Sequence, residues 1–149
     1  MARIIAYPSV TPVVGDCLVG TQKTTSGNQT NPTKNFTVGD VVNAGLGYTV
    51  YAAILSQTGT NAPVVTELKN NTGATFTWTR FAAGQYRAEA NISVFTANKT
   101  AAVFNLRSIN GSSTWNRLSD TFFQIETGTT GSNLDGFLTN GYLEIRIYS

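Results

Sequence analysis

No histidine occurs among the 149 residues, and only one cysteine does, Cys17. These absences exclude much chemistry at once. A tetrahedral zinc site needs Cys and His ligands that this chain does not carry. A histidine-activated nucleophile has no base here. No disulfide can close within the chain, so the fold does not depend on oxidising conditions. Cys17 reads as a small buried or half-buried strand residue, not a reactive thiol.

Charge is also scarce. Charged residues make up 12% of the chain, against roughly a quarter in ordinary domains. The net charge is +2, and Lys and Arg are scattered singly, so no basic stripe forms and nucleic acid is not an expected partner. No run approaches the ~20 apolar residues that span a bilayer, so no membrane is expected either. The opening MARIIAYPSVTP does not read as a signal peptide, because Ile4-Ile5-Ala6 is too short an apolar core and Pro8 and Pro12 interrupt it. Synthesis and folding in a cytoplasm are therefore expected. The Asn-x-Ser/Thr triplets at Asn28, Asn35, Asn70, Asn91, Asn98 and Asn110 reflect an Asn- and Thr-rich composition.

What the chain does have is 41% apolar residues, enough for one ordinary domain and an appendage. Thr, Asn, Ser and Gly fill the polar positions, which suits strands with hydroxyl-bearing faces and tight turns. Residues 1–46 and 47–149 read differently, and two parts are expected.

The first part is lean in apolar surface. Residues 1–14 read as an extended arm, held open by Pro8 and Pro12, with Ile4, Ile5, Val10, Val13 and Val14 free to make contacts. Asp16–Gly20 is a short strand. A polar loop follows over 21–33. Phe36, the only aromatic residue between Tyr7 and Tyr48, is expected to be an anchor. Thr37 is a candidate N-cap for a helix over 38–44, with Asp40 at its third position and Gly45 and Gly47 ending it.

The second part alternates with the period of strands. Strands are expected over 48–56, 64–70, 74–81, 85–95, 101–109 and 142–148, with one or two more over 114–126. Asn71-Thr72-Gly73 reads as a hairpin turn. In the last strand Leu143, Ile145 and Ile147 face one way and Glu144 and Arg146 the other. A chain ending on so strongly patterned a strand is expected to pair it inside a sheet. The expected fold is all-β: an antiparallel β-sandwich or jelly roll, preceded by an extended N-terminal arm with a short helix.

No catalytic residue is expected. The eight carboxylates are dispersed, and Glu67 and Glu89 fall on polar strand faces. Asp120 and Glu126 would share a face only if their strand ran unbroken, with a solvated face as the default. A calcium site would have to be built from Asp135 and nearby loop carbonyls. No cofactor or metal is expected. Trp78, Trp115, Tyr86 and Phe122 read as core, with a sugar-stacking platform as the other reading. Tyr48, Tyr51, Tyr142 and Tyr148 read as rim residues for subunit contacts.

The segment Asp16-Cys-Leu-Val-Gly-Thr21, a polar loop, and then Thr33-Lys-Asn-Phe-Thr-Val-Gly-Asp40 resembles a recurring N-terminal module of bacteriophage virion proteins. That module carries a D-x-L-hydrophobic-G-T … T-[KR]-N-F-T pattern followed by a short helix, and occurs in head-fibre and capsid-decorating proteins of marine and crAss-like phages and in some tail-fibre subunits. Ile4-Ile-Ala-Tyr-Pro-Ser-Val-Thr-Pro12 looks like the arm that precedes it. The resemblance implies a homotrimeric virion structural protein, docked on phage capsid or tail proteins through Ile4, Ile5, Tyr7, Pro8, Leu18, Lys34, Asn35, Phe36 and Thr37. The alternative is a tail-fibre or receptor-binding adhesin whose body binds host surface glycans through loops 57–62, 96–100 and 127–135.

Overall fold

The structure, a computed structural model, describes residues 11–21, 33–107 and 111–148. Its contacts divide the chain into two units, Met1–Gly47 and Tyr48–Ser149.

The described residues of the first unit form two strands, β1 (Cys17–Thr21) and β2 (Thr33–Thr37), paired antiparallel, and one helix, α1 (Val38–Leu46). β2 falls where sequence gave only a loop end and an anchor residue. Its register sets Leu18 opposite Phe36 and Gly20 opposite Lys34. The helix runs through Gly45, which was expected to stop it, and ends at Gly47, whose φ of 68° is left-handed.

The second unit is an all-β sandwich. One sheet holds β3 (Tyr48–Ser56), β4 (Val64–Asn70), β7 (Thr100–Asn105) and β11 (Gly141–Tyr148), in the order β4-β3-β11-β7. The other runs β5 (Phe76–Ala82), β6 (Gln85–Ala90), β9 (Phe122–Thr129), with β8 (Ser112–Arg117) and the two-residue β10 (Ser132–Asn133) both paired to β9. The closing strand β11 lies between β3 and β7, so both of its backbone edges are paired, as its patterning predicted.

Period-two alternation builds the core. Tyr51, Ala53 and Leu55 of β3 and Leu143, Ile145 and Ile147 of β11 face inward from one sheet. Trp78, Tyr86, Ala88, Phe123 and Ile125 meet them from the other, and Phe95 and Leu138 close the ends. Tyr51, expected at a rim, is a core residue, because it shares the inward parity of Ala53 and Leu55 and its hydroxyl accepts from Trp78 Nε1 at 3.1 Å.

Two further expectations are corrected. Asn71-Thr72-Gly73 is not a hairpin turn: β4 and β5 belong to different sheets, and this link crosses between them. The crossing satisfies its own backbone. Asn70 Oδ1 accepts from Thr72 N, Asn70 Nδ2 donates to Ala74 O at 2.9 Å, and Asn71 Oδ1 accepts from Val50 N at 2.6 Å. The strand expected over 85–95 ends at Ala90. Beyond it, Val94 N and Phe95 N both donate to Asp120 O at 2.9 Å, so the chain leaves the sheet and drops Phe95 into the core.

Candidate attachment surface

The first unit is organised by backbone hydrogen bonds more than by burial. Asp16 closes a turn: Asp16 N donates to Val13 O at 3.0 Å, and Val13 N donates to Asp16 Oδ2 at 2.9 Å. The carbonyls of Asp16 and Val14 then accept from Val38 N and Gly39 N at 2.8 and 3.0 Å. Those two amides open α1 and have no partner inside the helix. The third, Asp40 N, donates to Thr37 Oγ1 at 3.0 Å, while Thr37 N donates back to Asp40 Oδ2 at 3.3 Å. Thr37 is thus the N-cap the sequence suggested, and Asp40, expected only to favour the helix's positive end, also closes a reciprocal cap with it.

Little of the apolar surface is covered among the unit's described residues. In α1, Val38, Val41, Val42 and Leu46 recur at helical spacing and form one stripe, yet the helix contains no buried residue, and Val42 is 57% exposed. Val14 and Val19 are 77% and 75% exposed, and Leu18 is exposed as well; Cys17, expected to be buried or half-buried, is exposed too, because a two-stranded sheet covers little of either of its faces. Phe36 is half-buried; its ring lies along Gly20, where a Cβ would sit 3.2 Å from Phe36 Cε2. Cross-strand pairing puts Leu18, Lys34 and Phe36 on one face of the hairpin. Asn35 lies on the opposite face with Val19, and Thr37 serves as the helix cap. Ile4, Ile5, Tyr7 and Pro8 lie outside the described residues.

No family model, curated protein or solved structure matches the chain. Its surfaces therefore have to be read from their own chemistry.

On the body, the groups singled out for catalysis or metal binding are engaged elsewhere. Asp135 accepts from Arg80 Nη2 at 2.7 Å, from Gly84 N at 3.0 Å and from the Tyr86 hydroxyl at 3.2 Å. With its oxygens so occupied, the calcium site considered for it is not formed. Among the described residues no group of three or more His, Cys, Asp or Glu side chains gathers to hold a metal. The Arg80 guanidinium, followed by the Gly84 amide and the Tyr86 hydroxyl, holds the Asp135 carboxyl down at about 2. Burial pushes the Tyr86 hydroxyl up to about 12. Asp120 sits before β9 and pairs with Arg117, whereas Glu126 lies on β9 beside Gln124, so the two do not form a carboxylate pair. No described helix is long and apolar enough to cross a membrane.

The aromatic residues divide. Trp78 and Tyr86 are buried, Phe122 is half-buried, and Trp115 is 38% exposed but stacked on core Phe123, with centroids 5.6 Å apart. They do not make one stacking platform. The three loops expected to form a glycan-binding tip also separate. Gln57 N donates to Leu138 O at 2.7 Å and the Tyr86 hydroxyl to Gln57 Oε1 at 3.0 Å, which gathers 57–62 and 134–138 at one end of the sandwich. Lys99 O accepts from Tyr148 N at 2.8 Å, which puts 96–100 at the other end, beside Tyr48. Antiparallel pairing of β3 with β11 enforces this split.

Proposed function

We propose that this chain is a structural component of a bacteriophage virion, a trimeric head-fibre or capsid-decorating protein that the first unit fastens to the particle. The reading rests on one observation. The unit has a paired two-stranded sheet, a capped helix and a tied backbone, yet most apolar side chains among its described residues are exposed and α1 buries none of its own. Such a unit gains most of its burial from a partner. The pattern shared with phage attachment modules supplies the kind of partner: other copies of this chain, and capsid or tail proteins. Three linked copies would raise attachment strength through effective concentration, with no single tight contact needed. No catalytic role is part of this reading.

The test uses the full chain supplied to infected cells. Val41→Ser with Val42→Ser, and separately Phe36→Ala, are expected to leave the body folded and the chain soluble while removing it from purified particles. Wild-type occupancy for all of these variants would refute attachment through this unit. A second reading, a tail-fibre or receptor-binding adhesin, is favoured by a polar cleft between β8 and β10 on the body.

A further inference from the structure

The outer face of the β5-β6-β9-β8 sheet is not flat. At Gly128 the β9–β10 hairpin curls over it: a Cβ on Gly128 would collide with Ser132 O and lie 2.9 Å from Asn133 Cα. Only glycine allows the chain to fold back so closely. The fold-back raises Ser132 and Asn133 as one wall of a cleft of about 290 Å³, with Ser112 and Thr114 of β8 as the other, Glu126 at its floor and Thr129 at its end. Cross-strand register explains the walls, since Thr114 lies opposite Glu126 and Ser112 opposite Gly128.

Glu126 is held in place. Its Oε1 accepts from Gln124 Nε2 at 2.7 Å and from Gln85 Nε2 at 3.4 Å, and its Oε2 accepts from Asn133 Nδ2 at 3.4 Å. Gln124 is in turn fixed by Arg87, whose Nε donates to Gln124 Oε1 at 2.8 Å and whose guanidinium lies 3.3 Å from the centroid of the Phe81 ring. A carboxylate and an amide, fixed side by side and ringed by hydroxyls, match the paired donors and acceptors of a vicinal diol.

The same lining excludes other ligands. Among the described residues it carries no apolar side chain to anchor a peptide and no cation to hold a phosphate or an acidic sugar. Among its described residues there is one carboxylate, whereas glycoside hydrolysis uses two. We infer that this cleft binds a single residue of a neutral glycan, with Glu126 and Asn133 receiving adjacent sugar hydroxyls. The site lies towards the end of the sandwich opposite the chain's entry at Tyr48, since Asn133 leads directly into Asp135 and Gly136 beside Gln57. One sugar residue gives weak binding per copy, which several copies on one particle would multiply.

The inference rests on the adhesin reading and not on attachment, so it is tested on the free full-length chain. The probes are methyl glycosides of glucose, galactose, mannose and N-acetylglucosamine, titrated to about 50 mM against the labelled protein and followed by amide shifts. At least one is expected to shift Thr114, Glu126, Ser132 and Asn133. Glu126→Gln and Asn133→Ala should each weaken it about tenfold, and Thr77→Ala on β5 should not. Sialyllactose should give no shift at these amides. No shift from any neutral sugar, shifts untouched by both variants, or preference for sialyllactose would each overturn the inference. Shifts confined to 57–62 would overturn the cleft and leave adhesion standing. A chain that bound neither these sugars nor host cells would sink both.

Discussion

Arg80 grips Asp135 across 55 positions of sequence, with Nε and Nη2 both donating to its carboxylate. The grip matters for what else it holds. Asp135 Oδ1 also takes the buried Gly84 amide and the hydroxyl of Tyr86, a fully buried side chain. It therefore fastens the link between β10 and β11 to the β5–β6 hairpin. Asp135→Ala would leave the Gly84 amide without this partner inside the fold. The expected loss is about 2 kcal/mol, read as a lower urea midpoint with an unchanged slope.

The same carboxylate gives the body a defined acid response. Its folded value is about 2, below the ordinary 3.8. A group whose value is lowered by folding stabilises the fold while it is ionised. That contribution is complete above about pH 4 and drains away as pH falls towards about 2. Glu144, lowered by its hydrogen bonds from Tyr142 and Arg146, acts in the same direction, so wild-type acid sensitivity alone does not isolate Asp135. The difference in melting temperature between wild type and Asp135→Asn does. It should be largest near neutrality and shrink across that acid window. A difference independent of pH would show that the ionised form contributes nothing.

Two glycines with nearly the same backbone should respond very differently to a methyl group. Gly84 has φ of 63° and Gly73 has φ of 78°. At Gly73 a Cβ would meet nothing within 4 Å, so Gly73→Ala carries only the left-handed penalty of about 1–2 kcal/mol. At Gly84 it would strike the backbone at Thr127 O and Leu134 N, which cannot rotate aside. Gly84→Ala should cost at least about 4 kcal/mol and open the β9–β10 hairpin, seen as fast amide exchange at Thr127 and Leu134. Equal costs at the two positions would contradict this packing.

The body was legible where one residue type repeats with one period. Leu143, Ile145 and Ile147 marked β11 and its inward face, and Thr37 with Asp40 marked the start of α1 through a local hydrogen-bonding pattern. What stayed hidden depended on partners far away in sequence. Thr33-Lys-Asn-Phe-Thr has one large apolar residue and no alternation, so β2 exists through its pairing with β1 and not through its own pattern. Asn71-Thr72-Gly73 looks alike whether its flanking strands pair or part, because the turn residues satisfy only the local backbone. Asp135 was visible as an acidic loop residue, but the arginine that claims it lies on another strand. The Gly128 fold-back that builds the cleft read as one more glycine in a polar loop.

The cap on α1 allows a test confined to the first unit. Thr37→Ala removes the hydroxyl that accepts from Asp40 N and donates to Asp40 Oδ2. The expected cost is about 1 kcal/mol, and it should fall on the helix alone. Amide exchange at Asp40, Val41 and Val42 should accelerate several-fold, while the melting of the body stays as it was.

The buried pair Trp78 and Tyr51 gives the sharpest test of the core. The indole Nε1–H donates to the Tyr51 hydroxyl at 3.1 Å, and the two side chains come from opposite sheets. Burial raises the Tyr51 hydroxyl above its ordinary value, so it stays neutral and in place to accept. Tyr51→Phe keeps the ring and its contact with Phe76, whose centroid lies 4.2 Å away, and deletes only the oxygen. The indole N–H is then left without this acceptor in the core, at a cost of about 1–3 kcal/mol, and Trp78 fluorescence should shift to shorter wavelength. Tyr48→Phe, at a half-buried ring packed at a tilt against Tyr148, should stay within about 0.5 kcal/mol of wild type. If the two substitutions cost the same, the hydrogen bond between the sheets adds nothing beyond ring packing.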